Sequence, residues 1–362
     1  MLILRKKLLL MAENDKLTKK MTKNCFWYHF FKILCVVPAF WCFYRRVKVV
    51  GLKNIPQKGP YFFALTHQNS LMDALAVVST QMQQPVFVAR ADIFQKKTVA
   101  DIFHFLRILP IFRKRDKGKL VDNNEEVYHI LTEVLKRKGV TGIMPEGAAK
   151  DGRTLLPLQK GIFRVSMKAQ EEICVENQNY EVKIVPVGLN WEDTTKFYKN
   201  ITVVYGKPMN CKDYYALYQE DNAKAFNQMQ TELTQRMYDT IDDKHFPAEQ
   251  RYKGVVCHLS TIILFPFAAV GIIIGGLPLL LAIKLQNITK DPQFRLSVSF
   301  VVLLLCRTLI HFSVLAATIV LSIVFLSNPI FIILICFVML LLLLISEKCM
   351  YEFRSRVLDL LK

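Results

Sequence analysis

Hydrophobic and polar positions change their periodicity along the chain. Between residues 47 and 206, short apolar runs alternate with stretches in which apolar residues recur every three or four positions, as at Val99, Ile102, Phe103 and Leu106. The short runs predict buried strands, and the recurring pattern predicts amphipathic helices. The predicted strands are VKVV (47–50), YFFALT (61–66), PVFVAR (85–90), RILPIF (107–112), TGIMP (141–145), VKIVPV (182–187) and ITVVY (201–205).

Strands that alternate with helices are typical of α/β proteins. We therefore predict a mostly parallel mixed sheet flanked by helices in a domain that spans residues 47–245, with a polar helix at 219–244 and a linker at 245–254. In such sheets, ligands bind at the carboxyl ends of the strands.

The region 246–362 has the hydropathy of an α-helical transmembrane region. Neither the interval between Lys253 and Lys284 nor that between Arg307 and Glu347 contains a charged residue, and each exceeds the ~18–20 residues of a membrane span. Prolines and glycines interrupt the first interval, and a single crossing there would place a basic loop outside the cell. We expect a re-entrant hairpin at about 255–283 and spans at about 296–326 and 330–346.

Residues 1–46 form a basic, aromatic-rich segment. It contains CFWYHFFKILCVVPAFWCFYRR (25–46) and carries much of the net charge of +18. Basic residues beside Trp and Phe favour a membrane-interfacial helical element on anionic lipid, and a solvated tail followed by an ordinary core helix is the alternative. Nucleic-acid binding is disfavoured because the charge flanks apolar sequence. The nine cysteines lack paired spacing, which favours a domain facing the reducing cytoplasm.

The stretch YFFALTHQNSLMDALAVV (61–78) contains a candidate catalytic pair. His67 follows a predicted strand, and Asp73 lies in the first turn of a helix that Asn69 or Ser70 would cap. The two side chains can meet only if His67 lies outside the helix, since positions i and i+6 of a helix point apart. A carboxylate that orients an imidazole makes a general base for a hydroxyl. The alternative is a surface histidine beside an aspartate that complements the helix dipole.

Two further polar clusters follow predicted strands. MPEGAAKDGRTLLPLQKG (144–161) contains Glu146 and Gly147, and LRILPIFRKRDKGK (106–119) contains Arg113, Lys114 and Arg115, which could pair with phosphate oxygens. A plain turn and a solvated basic face are the alternatives. Neither alternative explains why polar residues follow three successive strands at the same edge of the predicted sheet.

With these residues, the sequence resembles the glycerophospholipid acyltransferase family, which includes lysophosphatidate and glycerol-3-phosphate acyltransferases, over about residues 25–210. His67 and Asp73 match its His/Asp motif, LPIFRKRD matches the second block through Arg113, PEGAAKDG the third through Glu146 and Gly147, and VPVGLNW (185–191) the fourth through Pro186. The His/Asp motif is the variant with five intervening residues rather than four, which is associated with the glycerol-3-phosphate or dihydroxyacetone-phosphate branch. Thr66 stands where the family commonly has Asn, and Ala148 where it has Thr.

The resemblance implies a membrane-bound enzyme of phospholipid biosynthesis. It would move an acyl group from acyl-CoA or acyl carrier protein to a hydroxyl of glycerol 3-phosphate or 1-acylglycerol 3-phosphate, without metal or prosthetic group. His67 would be the base and Asp73 its orienting partner. The residues implied in substrate binding are Arg113, Glu146, Gly147, Lys150, Arg153 and Pro186, the last on the acyl-donor side. The implied location is the cell (inner) membrane, with several spans and the catalytic domain facing the cytoplasm.

Other functions remain open at this point. The acceptor could be another lysolipid, or the chain could be a catalytically silent lipid-binding membrane protein of the same fold, for which Ala148 is the best support. A metal hydrolase that uses His67 and Asp73 as ligands is a further alternative, although no second His-rich cluster accompanies them.

Overall fold

A computed structural model describes residues 15–112, 124–150, 154–175, 180–248, 255–325 and 328–360. The sequence-predicted residues Arg113, Lys114, Arg115 and Arg153 lie outside these described ranges.

An eight-stranded mixed sheet forms the centre of the domain. Its order is β1-β7-β6-β2-β5-β3-β4, with β8 paired to β6. Neighbouring strands are parallel except in the pairs β6–β7 and β6–β8, which are antiparallel. The strands are β1 (Arg46–Val50), β2 (Tyr61–Leu65), β3 (Val86–Arg90), β4 (Ile108–Ile111), β5 (Val140–Ile143), β6 (Lys183–Trp191), β7 (Asn200–Tyr205) and β8 (Met209–Asn210).

Helices cover both faces of the sheet and form the C-terminal region. They are α1 (Phe26–Phe43), which includes a π-helical turn at Lys32–Val36, α2 (Ser70–Thr80), α3 (Lys97–Phe105), α4 (Asn124–Lys136), α5 (Gly161–Val175), α6 (Tyr215–Glu220), α7 (Asn222–Thr240), α8 (Val255–Ile288), α9 (Pro292–Phe325) and α10 (Pro329–Leu360). Residues 15–22 are also helical. Short 3₁₀ turns occur at Leu52–Asn54, Ala91–Phe94, Cys211–Tyr214 and Asp243–His245.

Two hydrophobic clusters lie on opposite faces of the sheet. Phe63 and Leu65 of β2 face a cluster that contains side chains of α1, α2 and α9. Phe62 and Ala64 face a second cluster built with α4, α5 and α7. Strand β2 is therefore buried on both faces, and this explains why it reads as a continuous apolar run in the sequence.

The predicted fold class is confirmed, with small differences in the bounds. All seven predicted strands are present, but β6 continues to Trp191, and the two-residue β8 was not predicted. The single polar helix predicted at 219–244 is two helices, α6 and α7, because Asp221 caps the second one by accepting hydrogen bonds from the backbone N–H groups of Ala223 and Lys224.

The C-terminal region consists of three long apolar helices, and one prediction about it was wrong. The residues expected to form a re-entrant hairpin belong to the single helix α8, which contains Pro266 and Pro278. Close packing supports the continuous helix, since a Cβ atom added at Gly271 would overlap the backbone oxygen of Ser346 in α10. Helices α9 and α10 begin near the predicted starts of the two spans, and α10 extends well beyond the predicted end.

These apolar helices pack directly on the α/β domain. The ring of Phe300 in α9 lies 5.4 Å from that of Phe43 in α1. Lys348 Nζ in α10 donates a hydrogen bond to the backbone oxygen of Tyr44 at 2.7 Å, and Arg45 Nε lies 3.1 Å from Glu352 Oε2. Together with α1, these helices are long and apolar enough to cross a membrane, which is compatible with a transmembrane region.

Candidate active site

His67 and Asp73 meet in the loop between β2 and α2. His67 Nδ1 lies 2.9 Å from Asp73 Oδ2, and the same oxygen accepts hydrogen bonds from the backbone N–H groups of Gln68 at 2.8 Å and Asn69 at 2.7 Å. An ionised carboxylate only accepts hydrogen bonds, so Nδ1 carries the proton in the neutral ring. The His67 Nε2 atom is then an acceptor, as a general base requires.

The carboxylate of Asp73 is completely buried and held from two sides. Its second oxygen, Oδ1, accepts a hydrogen bond of 3.2 Å from Trp191 Nε1 at the end of β6. The ring of Trp191 in turn lies 5.3 Å from that of Tyr44. Burial holds the pKa of the Tyr44 hydroxyl well above its usual value, and the nearby Asp73 charge adds to this effect. The surroundings of Asp73 thus fix its orientation toward His67.

Trp191 is a site residue that the sequence interpretation missed. The sequence did contain a signal, because Val185, Val187, Leu189 and Trp191 alternate along one strand and share one face of it. That face is the one on which α2 packs. Extending the predicted strand by four residues would have placed the indole beside the first turn of α2.

Glu146 connects the second motif to the histidine. Its Oε1 accepts a hydrogen bond from the backbone N–H of His67 at 2.9 Å, and its Oε2 accepts one from Leu156 at 2.8 Å. Burial raises the pKa of the Glu146 carboxyl, and these two hydrogen bonds oppose the rise. Gly147 follows with a φ of +69°, a left-handed conformation that suits glycine.

The loop after Glu146 also binds the other side of the His67 peptide. The backbone N–H of Lys150 donates to the His67 carbonyl oxygen at 3.0 Å. Strands β2 and β5 are parallel neighbours, so the loops that follow them meet at one edge of the sheet, as the sequence predicted. The Lys150 ammonium group is exposed and donates to Thr154 Oγ1 at 2.8 Å.

Other predicted residues take different positions. Pro186 pairs in register with Ala64, which places its side chain on the face that carries α7, beside Gly206, and not on the face where α2 brings Asp73. Strand β4, which precedes Arg113, lies at the edge of the sheet, beyond β5 and β3. Asn69 is the residue before α2, but its side chain donates to the Thr194 backbone oxygen at 3.2 Å and does not cap the helix.

Thr66 has a structural role in the position where the family commonly has Asn. Its side chain is buried, and its hydroxyl accepts a hydrogen bond of 2.9 Å from the backbone N–H of Leu189. This bond joins the residue that precedes His67 to β6.

The turn between α8 and α9 touches the loops around the site. Gln293 Nε2 donates to the Ala149 carbonyl oxygen at 3.2 Å, and Gln286 Nε2 donates to that of Thr195 at 3.1 Å. Ala149 precedes Lys150, which binds His67, and Thr195 follows Thr194, which binds Asn69. The apolar C-terminal helices thus contribute contacts to the rim of the site.

No group of three or more His, Cys, Asp or Glu side chains suited to a metal ion occurs within the ranges that the structure describes.

Comparison with known proteins gives consistent results. Residues 46–190 match the family model described as Acyltransferase. The chain is similar to glycerol-3-phosphate O-acyltransferase 2 of Saccharomyces cerevisiae, with 24% identity over 122 residues that make up 33% of this chain and 16% of that protein. It is also similar to 1-acyl-sn-glycerol-3-phosphate acyltransferase alpha of Mus musculus, with 26% identity over 128 residues, 35% of this chain and 43% of the relative. The matched segments therefore span less than half of each relative.

Among solved structures, the crystal structure of the 1-acyl-sn-glycerophosphate acyltransferase PlsC from Thermotoga maritima aligns with a TM-score of 0.42 and 16% identity, covering 62% of this chain and 80% of that chain. The fold class rests on the sheet topology of this chain and not on this distant similarity. Residues 46–190 thus match an acyltransferase domain, and over about a third of its length the chain is similar to glycerol-3-phosphate and 1-acyl-sn-glycerol-3-phosphate acyltransferases.

Proposed function

We propose that this protein transfers a fatty acyl group from an acyl thioester to a hydroxyl group of glycerol 3-phosphate or 1-acylglycerol 3-phosphate at a membrane. The observation that carries the proposal is the contact of 2.9 Å between His67 Nδ1 and the buried Asp73 carboxylate. This contact fixes the imidazole tautomer and stabilises the cation that forms when Nε2 takes a proton.

The proposed reaction is a single displacement. His67 Nε2 removes the proton of the acceptor hydroxyl as its oxygen attacks the thioester carbonyl carbon. The tetrahedral intermediate collapses, the bond between carbon and sulfur breaks, and the leaving thiolate takes the proton back from His67. We propose that no metal or prosthetic group takes part, and that the donor thiol is coenzyme A or acyl carrier protein.

We propose that the loop formed by residues 146–150 holds the acceptor. Glu146 already uses both oxygens on backbone N–H groups, so its direct role is to fix the loop beside His67. Backbone groups near Gly147 and the exposed Lys150 ammonium are then the available partners for glycerol hydroxyls and phosphate. Arg113 and Arg153 are proposed as further phosphate partners from their sequence positions.

We also propose that the protein is a multi-pass protein of the cell (inner) membrane, with the domain facing the cytoplasm. The exposed aromatic side chains of Phe26, Trp27 and Phe30 on α1 support contact with a lipid surface, and the basic N-terminal residues support attraction to anionic lipids.

The test is an acyl-transfer assay with the full-length protein in membranes. A labelled acyl thioester, presented either on coenzyme A or on acyl carrier protein, is incubated with glycerol 3-phosphate, 1-acylglycerol 3-phosphate and other lysolipids, and the lipid product is identified. We expect the H67A variant to lose about 10²–10⁴-fold in rate. The control is H129A, because His129 is exposed on α4. Equal rates for H67A and the wild type would remove the assignment of His67 as the base.

A further inference from the structure

A charged pair interrupts the apolar C-terminal helices. Arg307 of α9 and Glu347 of α10 bound an interval of the sequence without any Lys, Arg, Asp or Glu. In the structure, Arg307 Nε lies 2.9 Å from Glu347 Oε2, and only 8% and 13% of the two side chains are exposed. Buried ionisable groups in such helices are rare, and they usually have a function.

The two groups have unused hydrogen-bonding capacity. Arg307 Nε and Glu347 Oε2 are both buried, and they contact each other as an ion pair. Within the described part of the chain, neither atom has another hydrogen-bond partner. The other carboxylate oxygen, Glu347 Oε1, accepts a hydrogen bond of 3.0 Å from the Tyr351 hydroxyl. A carboxylate oxygen has more than one acceptor site and a guanidinium group has five N–H donors, so the pair can bind a further polar partner.

A cleft lies beside this pair. It lies between α8, α9 and α10 and is open to the outside on one side. Its polar lining comes from Arg307, His311, Ser346, Glu347 and Tyr351, and the remaining lining is mainly apolar. No lining residue belongs to the site built on His67, so this cleft is a separate feature of the molecule.

The position of the pair along the helices matches the surface of a bilayer. The charge-free arms 308–325 and 329–346 each contain about 18 residues, or about 27 Å of helix, close to the ~30 Å hydrocarbon core of a membrane. On the other side of the pair, Phe300 of α9 packs on the α/β domain. Arg307 and Glu347 therefore lie where the helices leave the domain, and in a bilayer that surrounds the charge-free arms they would be at the level of the lipid headgroups.

We propose that this cleft binds a monoacylglycerol phosphate, with the phosphate on the Arg307 guanidinium group and the free glycerol hydroxyl on the Glu347 carboxylate. A guanidinium group offers five N–H donors that match phosphate oxygens. A carboxylate beside a phosphate is unfavourable unless a donor lies between them, and the free hydroxyl of a monoacyl lipid supplies that donor. The apolar lining receives the first part of the acyl chain. The site and its binding do not depend on catalysis by His67.

The test is photocrosslinking in the H67A background, where turnover cannot consume the probe. The full-length protein in detergent micelles is mixed with 1-oleoylglycerol 3-phosphate that carries a diazirine on an acyl carbon near the glycerol. After irradiation, the crosslinked peptides are mapped. We expect crosslinks on α8, α9 and α10 around the cleft, and a loss of about tenfold or more in the R307Q/E347Q double variant. The double variant removes both charges, so no unpaired buried charge is left.

Two further variants keep the result interpretable. K284Q removes an exposed charge from α8 outside the cleft, and it should crosslink like the parent protein. R307K keeps the positive charge and loses the planar donor fork. It should crosslink less than the parent, and it provides the comparison if the double variant fails to fold.

Competition identifies which part of the lipid is recognised. Unlabelled 1-oleoylglycerol 3-phosphate should displace the probe, dioleoylphosphatidate should displace it more weakly, and neither monooleoylglycerol nor inorganic phosphate should displace it. Unchanged crosslinks in the double variant would overturn the proposal. So would equal competition by monooleoylglycerol, which indicates an acyl groove only, or by inorganic phosphate, which indicates a site for free anions.

Discussion

The D73N substitution tests the central contact of the site, because an asparagine has the shape of the aspartate but not its charge. In the wild type, Asp73 Oδ2 receives the His67 ring N–H and two backbone N–H groups, and Oδ1 receives the Trp191 N–H. The new amide keeps most of these bonds if its oxygen faces the three donors. Its NH₂ group then faces the indole N–H of Trp191, so that two donors oppose each other.

This geometry gives separate expectations for stability and for rate. Loss of the Trp191 bond and burial of opposed donors should cost about 1–3 kcal/mol of unfolding free energy. The imidazolium that forms during the reaction loses its negative partner, so the rate should fall about 10²–10⁴-fold, which corresponds to about 3–5 kcal/mol of barrier. The second substitution in the D73N/W191F variant removes the opposing donor. This double variant should therefore regain stability without regaining activity.

The assay pairs acyl-transfer rates with thermal unfolding followed by far-UV circular dichroism. D239N is the matched control, because Asp239 is exposed on α7 and accepts a hydrogen bond only from the neighbouring Gln235 side chain among the contacts described. The reasoning is refuted if D73N keeps a rate within about threefold of the wild type. It is also refuted if W191F lowers stability in the D73N background as much as it does in the wild type.

Three further predictions concern single substitutions. Burial raises the pKa of Glu146, so its contribution to stability is present below the ordinary carboxyl pKa and is lost as the pH rises through the raised value. Between about pH 4 and about pH 7, the wild type should therefore lose unfolding free energy relative to E146Q. Unfolding free energies of the two proteins that change in parallel with pH would contradict this. G271A should cost about 1–3 kcal/mol because its Cβ overlaps the Ser346 backbone oxygen, whereas G276A, whose Cβ meets only Ile272 at 3.6 Å, should unfold like the wild type. K32M leaves two backbone carbonyls without the ammonium group that now donates to them, and its unfolding free energy should fall by about 2 kcal/mol or more; an unchanged thermal transition would argue against these bonds.

The features that the sequence predicted well are local ones. The strands were found because a strand buried on both faces, such as β2, appears as an uninterrupted apolar run. His67 and Asp73 were found because polar residues at the junction of a strand and a helix lie at the carboxyl edge of the sheet. The glycerophospholipid acyltransferase resemblance, carried by four ordered motifs, was confirmed by the family match.

The features that the sequence did not reveal depend on distant contacts. Trp191 binds Asp73 across 118 positions of the chain, and Gln293 binds Ala149 across 144. The alternation that places Trp191 on the core face of β6 does not show that its partner is Asp73, and Gln293 has no periodic pattern that would signal its bond. The hairpin predicted from Pro266 and Pro278 was wrong for a related reason. Prolines inside an apolar helix are tolerated when a neighbouring helix supports the backbone, and the sequence does not show which helix is the neighbour.

The contacts of the α8–α9 turn connect the apolar helices to the proposed chemistry. Gln293 donates a hydrogen bond to Ala149, and the next residue, Lys150, donates one to the His67 carbonyl oxygen. Gln286 donates a hydrogen bond to Thr195, and the preceding residue, Thr194, accepts one from Asn69. The ends of α8 and α9 therefore contact loops on both sides of the segment that carries His67, which an anchor joined by a free linker would not do. In the proposed reaction, the acceptor is a membrane lipid or becomes one, and we expect these contacts to hold the imidazole close to the bilayer in which that lipid lies.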